Sequence, residues 1–235
     1  MQQEPRVGEP PSAADQTRRM ILGVGRGLRR GESISMKRLR VWVFLLLAVY
    51  SAALIVHEWN HGLRGVRPYF SDIVGQVAFH GVNTTFSASM LWAAAVVFAM
   101  LRRLDRVCPR RRAFYTSQAL LFCYVGIDER FMFHEWFDFE TGINDTYLFV
   151  AIGLLEIGLL LFLGNLWSLP AAARGWLAGA ALLYGTSVFV DMLEPAGLQV
   201  RLALEDLPKA WAGVCVFLFA WSLFNHVAGE RQPRV

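Results

Sequence analysis

Beyond residue 40 the chain alternates long apolar runs with short polar clusters. The runs cover about Val41–His57, Val82–Leu101, Ala113–Trp136, Thr146–Trp167, Gly175–Met192 and Leu207–Val227. A helix rises roughly 1.5 Å per residue, so about 20 residues cross a hydrocarbon core roughly 30 Å thick. The pattern predicts an all-α fold, a polytopic transmembrane helix bundle of about six spans within residues 41–228. Residues 1–40 lack apolar periodicity and are rich in Pro, Gly and Arg, which predicts a disordered basic tail. Residues 229–235 form a second short tail.

Composition sharpens this picture. Hydrophobic residues make up 55% of the 235 positions, and mean hydropathy is +0.37, high for a soluble domain. The net charge is +4 and the pI about 9.2. The basic residues cluster beside apolar runs, most densely at Arg102, Arg103, Arg106, Arg110, Arg111 and Arg112. That is the positive-inside pattern, so topology rather than a nucleic-acid partner accounts for the charge. It predicts that the loop and both termini are cytoplasmic and that odd-numbered spans run outward. The first span, with Ser51-Ala52-Ala53 inside it, also fits a signal peptide. No polar stretch follows, which favours an uncleaved anchor. The 3 Cys show no CxxC spacing, so neither a disulfide framework nor a thiolate metal site is expected.

Placed on this map, the other polar residues fall at the outer boundary. His57, Glu58 and His61 end the first span, and His80 precedes the second. Asp128, Glu129, His134 and Glu135 close the third, and Asp145 opens the fourth. Asp191 and Glu194 end the fifth, and Glu205, Asp206 and Lys209 open the sixth. Asp105, in the Arg-rich loop, is the exception. Charge in a membrane segment costs roughly 2.5–3.5 kcal/mol per residue on insertion scales, so it needs a partner or a task. Asp128 and Glu135, seven apart on one helix, would share a face, and Glu205 and Lys209 stand at i and i+4, the favourable order for an ion pair. Glu156 is alone in the middle of the fourth span.

Three chemistries remain open. His57-Glu-x-x-His61 matches the short zincin pattern, in which two imidazoles one turn apart hold a metal and the Glu activates water. The candidate metal ligands are then His57, His61, Asp128, His134, Glu135 and Glu205, and the metal a divalent ion, zinc or iron. Without a metal, crowded carboxylates would serve as a proton acceptor or a general base. The third reading is structural: acids at helix starts and aromatic side chains such as Trp59, Trp136 and Tyr69 forming an interfacial belt.

The block Asp128-Glu-Arg-Phe-Met-Phe-His-Glu135, with Leu204-Glu-Asp-Leu-Pro-Lys209 before the last span, resembles an uncharacterised bacterial family of multi-pass membrane proteins. Such members carry an Asp-Asp/Glu-(Arg/Leu)-Phe-x-x-His-Glu block and a later Leu-Glu-Asp-x-x-Lys block. The resemblance implies a location in the bacterial inner membrane and one site built from Asp128, Glu129, His134, Glu135, Glu205, Asp206 and Lys209. It does not include His57-Glu-x-x-His61. The expected function is an outer-facing carboxylate/His/Lys site that binds a cation or a lipid headgroup, with metal-dependent hydrolysis of a lipid-like substrate as its enzymatic form. There Asp128, His134 and Glu135 are ligands or bases, Glu205 and Asp206 complete the shell, and Lys209 neutralises an anionic group. The alternative is a non-enzymatic membrane protein, either a small carrier or a structural partner subunit.

Overall fold

The computed structural model describes residues 41–62, 69, 81–105, 108–144, 146–193 and 201–230. The two tails, most of the 62–78 loop, His80, Arg106, Asp145, Glu194 and the side chain of Glu135 lie outside the described residues. The chain divides into two units, one ending at Tyr50 and one starting at Ser51. The packing described below is that of the second unit.

Among the described residues every regular element is helical. α1 covers Val41–His61, of which residues 51–61 belong to the second unit. α2 is Val82–Leu104, α3 Pro109–Phe131, α4 Phe133–Thr141 and α5 Thr146–Leu159. α5 continues into a wide π turn at Leu160–Gly164. α6 is Ala171–Leu193 and α7 is Arg201–Glu230. Among the described residues five helices are long and apolar enough to cross a membrane: α1, α2, α5 with its π turn, α6 and α7. α3 falls short because its uncharged stretch, Ala113–Ile127, is flanked by Arg110–Arg112 and by Asp128, Glu129 and Arg130.

The core lies where α2, α3 and α7 meet. Phe98 of α2 is fully buried and packs on Phe114 and Phe122 of α3 and Phe219 of α7, with ring centroids 5.6–6.4 Å apart. Close approach of these helices depends on small residues, as it does in membrane bundles generally. A Cβ on Gly126 would stand 2.6 Å from the Trp92 ring and 3.3 Å from the Ala88 carbonyl. One on Gly213 would stand 3.3 Å from both Met90 Cβ and the Ser87 carbonyl. Both glycines lie within about a turn of predicted site residues, so the tight crossings draw the polar ends together. α5 stands apart, meeting α3 and α6 lightly.

Several boundaries differ from the hydropathy reading. The third run is one apolar stretch in sequence but two helices in space. Met132 takes a left-handed backbone (φ 54°), ending α3 and starting α4. The unbroken helix on which Asp128 and Glu135 were expected to share a face is therefore interrupted between them. The last helix starts at Arg201 rather than near Leu207, so Pro208 lies inside it and not in its first turn. For the same reason Glu205 and Asp206 are not first-turn acids set against the helix dipole.

The two ends of the bundle are chemically distinct. At one, Arg111 Nε reaches Asp105 Oδ2 at 2.8 Å, and Arg110 Nη2 donates to the Phe162 carbonyl at 2.6 Å. These contacts give α3 an arginine-rich start despite its positive N-terminal dipole. At the other end gather the end of α1, the start of α2, the end of α3, and the starts of α5 and α7 with the end of α6.

Candidate functional site at the acidic end

Two polar side chains at this end, Glu58 and Asp128, satisfy backbone N–H groups that helix starts would otherwise leave without partners. Glu58 is fully buried, and its Oε2 accepts the Ala203 N–H in the first turn of α7 at 2.8 Å. Asp128, 1% exposed, accepts twice from His134: the backbone N–H at 3.0 Å on Oδ1, and ring Nδ1–H at 2.8 Å on Oδ2. It thereby holds the first turn of α4 across the break at Met132. Asn83 Nδ2 donates to the Asp206 carbonyl at 3.2 Å, two residues before Pro208. Thr146 Oγ1 reaches Asp191 Oδ2 at 3.4 Å and joins α5 to α6.

The remaining charges centre on Lys209. Its ammonium is 3.1 Å from Asp206 Oδ1 and 3.7 Å from Glu205 Oε1. The i,i+4 pair expected from spacing is therefore present. Glu129 of α3, buried at 8% exposure, feels the charges of Lys209, Asp206 and His134. Ser87 of α2 and Tyr184 of α6 lie beside it. Both hydroxyls are buried, and Ser87 engages both the Glu129 carboxylate and the Tyr184 hydroxyl. Ser187 Oγ and Asn83 Oδ1 are also buried, and these two have no hydrogen-bond partner. Buried polar atoms without partners cost free energy, on the order of 1–3 kcal/mol each. Their concentration at the end that holds the carboxylates sets this region apart.

The sequence-predicted residues are thus divided. Glu129, Glu205, Asp206 and Lys209 come together, and Asp128 with His134 adjoins them. His57 and His61 do not join them in any described contact: their rings stack at 4.4 Å, and His61 Nδ1 turns back to the His57 carbonyl at 3.1 Å. Glu58 lies between them in sequence but points into the bundle. Among the described residues no three His, Cys, Asp or Glu side chains form a group that could hold a metal ion. Ser87, Tyr184, Ser187 and Asn83 are additions that sequence reasoning missed. In apolar runs, hydroxyl and amide residues look like ordinary helix packing. Glu156 also has a partner: Gln118 Nε2 donates to its Oε2 at 2.6 Å.

A family described as a domain of unknown function, DUF8692, matches residues 36–223. The chain belongs to the DUF8692 family. The matched region includes every residue named above at the acidic end. Comparison with curated proteins and with solved structures finds no match.

Proposed function

We propose that the acidic end is a binding site for a small hard cation, open to the outer side of a bacterial inner membrane that the chain crosses about six times. The observation that carries this reading is the cluster of buried oxygens formed by Ser87, Tyr184 and the carboxylate of Glu129. The carboxylates of Asp206, Glu205 and Glu129 all act on the Lys209 ammonium, so oxygen atoms crowd one small region. A site of carboxylate and hydroxyl oxygens suits a hard cation such as sodium better than zinc or iron, which favour imidazole and thiolate. Lys209, already held by carboxylates, is poorly placed to take an anionic headgroup.

The test is a thermal-unfolding series on the purified full chain at constant ionic strength, with sodium, potassium or choline as the cation. Sodium or potassium should raise Tm over choline, and Glu129→Gln should abolish the difference while remaining folded. Equal Tm in all three salts would defeat the proposal. Stoichiometric zinc or iron in the purified protein, lost in Asp128→Ala, would instead support the metal-dependent hydrolase.

A second reading has its own observation. Glu58 and Asp128 each cap a helix start and Asn83 ties α2 to α7, as expected of a structural subunit whose polar cluster locks helices together.

A further inference from the structure

We propose that Glu156, in the middle of α5, is a proton-binding site: at neutral pH its carboxyl carries a proton and closes a ring of two hydrogen bonds with Gln118 of α3. Gln118 is fully buried and lies near the middle of its helix. Its Nε2 donates to Glu156 Oε2 at 2.6 Å. The two remaining oxygens, Glu156 Oε1 and Gln118 Oε1, are buried and have no partner among the described residues. An ionised carboxylate can only accept, and so can an amide oxygen. A proton on Glu156 Oε1 makes it a donor to Gln118 Oε1. Acid and amide are then complementary, each donating once and accepting once. One atom satisfies both oxygens.

The surroundings call for the neutral form as well. The residues that α3 and α7 bring to the cavity beside Glu156 are apolar, and α6 brings two ionisable groups, Arg174 and Tyr184. Neither forms an ion pair or a hydrogen bond with Glu156. An ionised carboxylate would thus be a charge held by one neutral N–H in the middle of a span, where unpaired charge is disfavoured. The ring also has a structural task. α5 meets α3 and α6 lightly, so two hydrogen bonds at its centre weigh heavily in holding it. Loss of the proton would leave one bond, set two acceptors against each other and loosen α5 from α3. Nothing in this assignment depends on cation binding at the acidic end.

Infrared difference spectra of the full chain in nanodiscs at neutral pH, wild type minus Glu156→Gln, test the assignment. The wild type should show a carboxylic-acid carbonyl band that the variant lacks. Gln118→Leu removes the ring and keeps the acid, so the band should move to higher frequency. Thermal unfolding gives an independent readout. The new amide in Glu156→Gln offers an N–H to Gln118 Oε1 and keeps both bonds, so this variant should match the wild-type Tm. Glu156→Ala leaves both polar ends of Gln118 unmatched and should lower Tm by several degrees. Three results would overturn the proposal. The first is loss of a carboxylate band rather than an acid band in the difference spectrum. The second is an acid band that stays in place in Gln118→Leu. The third is a Tm in Glu156→Gln that rises, as relief of a buried charge would make it, or falls as far as in Glu156→Ala.

Discussion

Asp128 shows how one side chain decides the local architecture. Its carboxylate takes two hydrogen bonds from His134 while Met132 sits in a left-handed backbone between them. A left-handed non-glycine residue costs roughly 1–2 kcal/mol, so the break needs such a clamp to persist. Asp128→Ala would leave two donors of His134 without their acceptor and should lower the unfolding free energy by about 2–4 kcal/mol. Asp128→Asn keeps an oxygen for the backbone N–H and should lose less. Denaturant unfolding in detergent measures both, and a loss below about 0.5 kcal/mol in each would remove Asp128 from this role. The sequence pointed to Asp128, which lies too far inside the apolar run to be an interfacial charge. It did not reveal the break, because Met132 carries no turn signature. Nor did it show that Glu58 caps a helix that begins far along the chain.

At the scale of elements, the apolar runs were legible because bilayer thickness imposes their length, but the helix count was not, since the third run is broken into two helices at Met132. The crossings between helices were not, since a glycine in an apolar run looks the same whether it faces lipid or a neighbour. Gly126 and Gly158 make the contrast. A Cβ on Gly126 meets the Trp92 ring, and one on Gly158 meets nothing. Overpacking a tight contact costs about 1–3 kcal/mol. Gly126→Val should therefore destabilise the fold by that amount, and Gly158→Val should leave it nearly unchanged, as read from thermal unfolding. Similar losses in the two variants would mean that the α2–α3 crossing is not tight at Gly126.

For the molecule as a whole, the segregation of acids and arginines to opposite ends was visible once the runs were placed, and the contacts at each end agree with it. Which end faces the cytoplasm is a separate matter that Cys108 reports. It sits beside the arginine cluster, and the backbone N–H of Arg111 holds its thiol below the ordinary cysteine range. A lowered pKa means more thiolate near neutral pH, hence faster alkylation. A membrane-impermeant maleimide should label Cys108 in inside-out vesicles and not in intact cells. Labelling in intact cells alone would reverse the orientation and put the candidate site in the cytoplasm.

Everything proposed for the acidic end requires that Glu129 of α3 and Lys209 of α7 interact across the bundle. A double-mutant cycle with Glu129→Gln, Lys209→Met and the paired variant measures that interaction directly. Coupling of about 1 kcal/mol or more is expected for buried charges in one network. Additive losses, with no coupling between the two positions, would contradict it.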